Sequence, residues 1–260
     1  LTTKEAKTMI DDIAALGAPA LLFSGGEPFM RGDLFELGAY ALSKGLRTVI
    51  STNGTLITKD TAKRIKDTGF SYAGISLDGL EAVNDRFRKE PGAFKRTLEG
   101  IRNCHSSGVR AGLRFTINKH NFRDIAGIFD LIESEGIRRA CFYHLVYAGR
   151  GSRMMEEDLT KKESRDAMDL IFDRTVALSR KDGDTEILTV DNHADGVYLY
   201  TRLKKESKEK ADEALNLLKI NGGNKSGIGI ADIDNLGFVH PDQFWRHYSL
   251  GNVRVRGFSE

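Results

Sequence analysis

Single glycines punctuate this chain: Gly17, Gly45, Gly69, Gly108 and Gly136 each follow a stretch of helical periodicity and precede a short apolar run. A glycine there supplies the left-handed residue that ends a helix and turns the chain back. The stretches before them, residues 5–16, 33–44, 59–67, 93–105 and 123–135, are helix candidates, and residues 161–180 form a sixth. Thr2 with Glu5, and Thr160 with Glu163, have capping-box spacing and mark two of the starts. The apolar runs between helices are too short to be helices themselves and read as strands. Strand and helix in alternation require right-handed crossovers and a parallel sheet. Ligands of such folds collect at the C-terminal ends of the strands.

Those strand ends carry the polar chemistry. The run over residues 18–23 opens directly into Phe23-Ser24-Gly25-Gly26-Glu27-Pro28. Two adjacent glycines let the backbone turn with positive φ and let a ligand, such as a zwitterion, approach bare amides. Glu27 then either fixes the loop or accepts from a ligand amine, and Pro28 fixes φ and removes a competing donor. Further strand ends follow at Ile50-Ser51-Thr52-Asn53-Gly54, Gly74-Ile75-Ser76-Leu77-Asp78-Gly79, Phe115-Thr116-Ile117-Asn118 and Val146-Tyr147-Ala148-Gly149-Arg150-Gly151. After Arg180 the pattern changes. A strand over 186–191, a polar loop from Asp191 to Gly196, a helix over 197–219 broken by a charged stretch, and a β-hairpin around Asn235-Leu236-Gly237 suggest a second unit.

The set Gly25-Gly26-Glu27-Pro28, Ser51-Thr52-Asn53-Gly54 and Ser76-Leu77-Asp78-Gly79, in that order and spacing, resembles the radical S-adenosylmethionine (SAM) enzymes with a SPASM-type C-terminal extension. The tail, with its 221–227 segment, Val239-His240-Pro241-Asp242-Gln243-Phe244-Trp245 and residues 248–253, is similar to the branch that removes side chains from sirohaem-derived tetrapyrroles in haem and denitrification-haem formation. The resemblance implies an α/β fold. Residues 1–180 would be a partial (β/α)6 barrel lacking its first strand and cluster loop, and residues 181–260 an incomplete SPASM-type extension. It also implies the cofactors, SAM and [4Fe-4S] clusters, with an electron donor such as flavodoxin or ferredoxin. The implied reaction is radical loss of acetate side chains from the macrocycle, 12,18-didecarboxysirohaem to Fe-coproporphyrin. A peptide-modifying SPASM enzyme and a non-catalytic barrel binding protein are the alternatives.

Site residues carry over on the same terms. Gly25, Gly26 and Glu27 would face the methionine amine, and Ser76 and Asp78 the ribose or carboxylate. Arg114 is the cation suited to the carboxylate, since a guanidinium fork matches two oxygens. Tyr147 and Ala148 would meet adenine. Pro28, Ser51 and Asn53 complete the cofactor set, with closure of turns as the alternative role of Ser51, Asn53 and Asn118. For substrate, Arg150 and Arg153 are carboxylate clamps, and His144, His193 and His240 are candidate iron ligands. His193 is preferred among them because Asp191 or Asp195 could fix its tautomer.

The family holds its catalytic cluster through a Cys-x3-Cys-x2-Cys loop, yet the only cysteines here are Cys104 and Cys141, far apart and without ligand spacing. The expectation is that the cluster loop and the cysteine-rich end of the extension lie outside this sequence, so that the chain alone is inactive. Asp242 stands where SPASM extensions commonly place a cluster cysteine, and so is either a weak oxygen ligand to an auxiliary cluster or the cap of a turn. Two unpaired cysteines fit a reducing, cytoplasmic compartment. A net charge of +2 gives no global drive toward nucleic acid, and no apolar run is long enough to suggest a membrane.

Overall fold

The computed structural model describes residues 1–181 and 183–260, without the side chain of Arg150. In chain order its regular elements are α1 (Thr3–Ala15), β1 (Ala20–Phe23), α2 (Leu34–Ser43), β2 (Arg47–Thr52), α3 (Lys59–Thr68), β3 (Tyr72–Ser76), α4 (Glu81–Arg88), α5 (Ala93–Ser106), β4 (Ala111–Thr116), α6 (Ile125–Ser134), β5 (Arg139–Tyr143), α7 (Lys161–Lys181) and β6 (Glu186–Val190). They are followed by α8 (Ala194–Glu206), α9 (Lys208–Asn221), β7 (Asp232–Ile233), β8 (Phe238–His240) and β9 (Gly251–Asn252). All five punctuating glycines have positive φ, between 62° and 92°, where a Cβ would be strained. Thr2 and Glu5 exchange hydrogen bonds as a capping box, as do Thr160 and Glu163.

Strands β1 to β6 form one parallel sheet in sequence order. The order never reverses, so every right-handed crossover lays its helix on the same face. The alternation of side chains along each strand then separates two environments. Ile50, Ala73, Ile75, Leu113, Phe115, Ala140 and Phe142 point toward the helices and are buried. They pack there with Ile65, Ile101, Ile128, Phe129 and Ile171 in one core. Phe142 stacks on Phe129 at a centroid distance of 5.3 Å and meets Phe115 at 5.7 Å. Truncating such a ring costs about 3–5 kcal/mol. The opposite parity brings Ser51, Gly74, Ser76, Gly112, Arg114, Cys141 and Tyr143 onto the inner face, in register across β2 to β5. This is the expected partial α/β barrel, open on its inner side.

Two sequence expectations are corrected. The strand placed in the extension, β6, pairs with β5 over five residues and belongs to the barrel sheet, so a boundary near Arg180 falls at the end of α7 and one strand too early. The segment Val146–Gly151 does not end a strand: β5 stops at Tyr143, and a 3-10 helix runs from Gly149 to Glu157. The helix over 197–219 is broken within its charged stretch, into two helices separated at Ser207, which caps α8 and whose side chain accepts the Lys210 N–H. The hairpin around Gly237 is present as β7 and β8, with β9 added to make a small antiparallel sheet. This sheet returns to the start of the chain. Arg254 pairs with Glu5 at 2.7 Å, the Phe258 N–H donates to Asp12 at 3.2 Å, and Phe258 packs against the α1 core that contains Ile10 and Ile13.

Candidate functional site

The glycine loop after β1 is held open by its acid. Glu27 accepts from the Thr52 hydroxyl at 2.6 Å and from the Asn53 N–H at 2.8 Å, so its carboxylate joins the ends of β1 and β2. It also accepts from the Phe29 N–H at 3.3 Å, capping the short 3-10 turn that the buried Pro28 begins. Of the two alternatives for Glu27, loop fixation is the one observed. Only Gly25 has positive φ, at 111°; Gly26 does not need glycine for its backbone. A Cβ at either position meets nothing within 4 Å. The loop is therefore a cradle beside exposed amides.

Arg114 is the cation of this inner face. From β4 it crosses β3 at Gly74 to donate to the Ser51 hydroxyl on β2, and its guanidinium lies 4.8 Å from the centre of the Tyr143 ring. Gly74 makes the crossing possible, since a Cβ there would sit 2.9 Å from Arg114 Cδ. Ser76 is in register beside Arg114. Asp78, by contrast, is buried and engaged: it pairs with Arg88 and accepts the Thr116 N–H at 3.1 Å, joining the ends of β3 and β4 rather than facing the opening. Asn53 closes a turn by accepting from the Thr55 N–H and hydroxyl at 2.8 and 2.7 Å, and Asn118 likewise accepts the His120 N–H at 2.9 Å.

Asp191 enters the site from the end of β6, and its role was not assigned from sequence beyond that of a histidine partner. It adopts φ 70°, a left-handed conformation that costs a non-glycine residue about 1 kcal/mol or more. Burial pushes its carboxyl up to about 6, against the opposing pull of Arg114 and His144. The signal for it in the sequence was its place, a polar residue directly after a strand.

The histidines sort differently from expectation. His144 Nε2 lies 2.9 Å from the Asp195 carboxylate, and both side chains are largely buried, so Asp195 orients His144 and not His193. His193 is exposed at the start of α8. His240 is buried, its Nδ1 donating to the Tyr248 carbonyl at 2.7 Å. Arg153 is exposed on the 3-10 helix, and the Arg150 side chain lies outside the described residues. Asp242 caps a turn: one oxygen accepts the Phe244 and Trp245 N–H groups at 2.8 Å each, the other the Ser226 hydroxyl. Burial pushes its carboxyl up, but these donors hold it below the ordinary range. Tyr147, bonded to Asp158, and Ala148 line a cleft of ≈ 580 Å³ whose other wall is Phe244, Trp245, Arg246 and His247.

The fold class is an open parallel α/β barrel, with an open glycine loop at the end of β1 and an arginine on its inner face. Residues 1–132 match the model of the Radical SAM superfamily, and the chain belongs to that superfamily. It is 60% identical, over its whole length and 65% of the relative's, to the Fe-coproporphyrin III synthase of Methanosarcina barkeri. It is 40% identical, over the same shares, to the pre-heme d1 synthase of Dinoroseobacter shibae. The chain thus spans 65% of the length of these two relatives. Among solved structures, Streptococcus suis SuiB bound to the precursor peptide SuiA superposes with a TM-score of 0.78 at 15% identity, covering 98% of this chain and 56% of that one, a likeness of fold.

The residues fit one of the two groups this superfamily implies. SAM carries an amine, a carboxylate and a sulfonium; the open loop at Gly25 and Gly26 and the guanidinium of Arg114 on the inner face of the same sheet are groups suited to the first two. The superfamily also uses a [4Fe-4S] cluster, and the described residues offer no ligand set for one. Cys104 is buried in the helix-side core, where burial pushes its thiol up to about 12, and Cys141 is on the inner face of β5. Among the described residues no three His, Cys, Asp or Glu side chains are grouped to hold a metal ion.

Proposed function

We propose that this chain is the substrate- and SAM-binding body of a radical SAM enzyme that removes acetate side chains from 12,18-didecarboxysirohaem to give Fe-coproporphyrin. The observation that carries the reading is the 60% identity, running through the barrel and the C-terminal sheet alike, to an enzyme named for that product. When bound and reduced at a [4Fe-4S] cluster, SAM supplies the hydrogen-abstracting radical. The chain's own residues bind and orient. Gly25 and Gly26 offer amides and open space to the amino-acid end, Arg114 faces its carboxylate, and Ser76 stands beside Arg114 for the ribose. Tyr147 and Ala148 border the space for adenine. Glu27, Thr52 and Asp78 keep the strand ends in place, so little reorganisation is left to binding. Ser51 holds Arg114 in position, and Pro28 begins the turn that shapes the loop.

On this reading Arg153 and His193, both exposed, meet substrate only at the outer edge of the site. Electrons come from a flavodoxin or ferredoxin, and the compartment is a reducing cytoplasm, in keeping with two unpaired cysteines. Among the described residues no helix is long and apolar enough to cross a membrane. The test uses the full-length protein with its clusters reconstituted, supplied anaerobically with SAM, reductant and 12,18-didecarboxysirohaem. Mass spectrometry should find 5′-deoxyadenosine and a macrocycle that has lost two acetate groups. A product that keeps either acetate, or formation of the pre-haem d1 skeleton, rejects the reading.

A further inference from the structure

The cleft beside the barrel mouth contains groups that SAM binding does not use. Trp245 on the cleft wall and its neighbour Tyr248 are 46% and 54% exposed, and both are held in place. The holding is polar and in part buried. Asp242 fixes the Phe244 and Trp245 amides and the Ser226 hydroxyl, and buried His240 fixes the Tyr248 carbonyl. Trp245 Nε1–H donates to His247 Nε2 at 2.9 Å, which sets the orientation of both rings, and the Tyr248 ring lies 6.4 Å from that of Trp245. At the edge, Arg246 lies 3.3 Å from Asp234 and keeps further N–H donors for another partner. The cleft offers ≈ 580 Å³ and is widely open to solvent, a shelf for one face of a ligand.

We infer that this cleft seats the macrocycle, its flat face against Trp245 and a peripheral carboxylate at Arg246. This rests on the tetrapyrrole reading above and deepens it. The chemistry agrees on both counts. A conjugated ring system stacks on an indole whose orientation is already fixed, and a guanidinium is the side chain suited to a propionate. The placement also gives Asp242 a purpose without a metal: it preorganises the aromatic wall, and its position opposite Val146 to Gly149 puts the macrocycle next to the barrel mouth.

The experiment uses the full-length protein with its clusters, coproporphyrin III as a flat tetracarboxylate probe followed by fluorescence anisotropy, and SAM binding by equilibrium dialysis. Trp245→Ala should weaken porphyrin binding about tenfold, Trp245→Phe about threefold or less, and neither should alter SAM affinity. Arg246→Gln should weaken binding in low salt more than in high salt. Wild-type porphyrin affinity in Trp245→Ala, with the wild-type enzyme still turning over its tetrapyrrole, overturns the placement alone. Parallel loss of SAM affinity in that variant also overturns it, because the indole would then serve adenine. No porphyrin binding by the wild type overturns the placement together with the reading beneath it.

Discussion

Arg114 donates to the hydroxyl of Ser51 across an intervening strand, a reach from β4 to β2 that exists because residue 74 on β3 has no side chain. The inner face of a parallel barrel is normally filled by branched side chains in layers. Here Gly74 and Gly112 leave that layer low. Arg114 lies along it, and Tyr72 covers Gly112 so closely that a Cβ there would come within 2.0 Å of its hydroxyl.

Gly74→Ala follows directly. The new Cβ meets the aliphatic stem of Arg114 at 2.9 Å, and a flexible side chain can move aside more cheaply than backbone. The fold should survive with a loss of about 1 kcal/mol, while the guanidinium leaves Ser51. SAM affinity should fall at least about tenfold, as expected when a charge-assisted hydrogen bond is lost. Calorimetry for stability and equilibrium dialysis for SAM measure the two effects separately. Unchanged SAM affinity would remove Arg114 from the site.

Gly25 and Gly26 should separate in the same way. Gly25→Ala forces a Cβ onto a φ of 111° and should cost about 1–3 kcal/mol of stability whether or not ligand is present. A Cβ at residue 26 meets no protein atom within 4 Å, so the melting temperature of Gly26→Val should stay near wild type. If the methionine end of SAM occupies that space, Gly26→Val should nevertheless lose most of its SAM binding. A variant that is both stable and fully competent to bind would show that the cradle opens onto solvent alone.

Much of the barrel was legible because local signals and the global fold agree. The five glycine caps, two capping boxes and six of the helices are written in short-range patterns, and those patterns need no tertiary context. The sixth strand was misassigned for a physical reason: Glu186 to Val190 reads as a strand either way, and only its pairing with β5 shows which sheet it joins. The site was legible as a set of positions and less so as a set of roles. Glu27 and Asp78 carry the motif, yet both spend their carboxylates on neighbouring strand ends, because loops that meet a ligand must have their backbone groups satisfied first. Pairings far apart in sequence, such as His144 with Asp195, have no sequence signal at all.

The return of the C-terminal sheet to α1 predicts an acid-sensitive contact. The hydrogen bond from Arg254, aided by the Thr2 cap, holds the Glu5 carboxyl down to about 2, below its ordinary 4.5. A depressed acid stabilises the folded state fully above its unfolded pKa, and that contribution is lost as pH falls through the folded value. The wild-type protein should therefore lose more stability than Glu5→Gln between pH 4.5 and about 2. Chemical denaturation of both proteins across that interval gives the comparison, and identical slopes would show that the pair does not tie the ends of the chain together.

Asp191 behaves with the opposite sign. Burial raises its carboxyl to about 6 from 3.8, so the folded state binds its proton more tightly than the unfolded state does. Charging this desolvated carboxyl, on a residue that still reaches solvent, costs some stability above pH 6, and the cost disappears as pH falls toward 3.8. Arg114 is the largest influence opposing burial, followed by His144. Removing the cation in Arg114→Gln should raise the Asp191 pKa further, and Asp191→Asn should abolish the titration. Carbon-13 NMR of labelled aspartate carboxyls reads both, the Asn variant assigning the signal. A midpoint that does not move in Arg114→Gln would mean that the guanidinium is not electrostatically coupled to the carboxyl at the end of β6. Arg114 would then be free to meet a ligand carboxylate without disturbing the proton on Asp191, and the pH dependence of SAM binding would lack a step near 6.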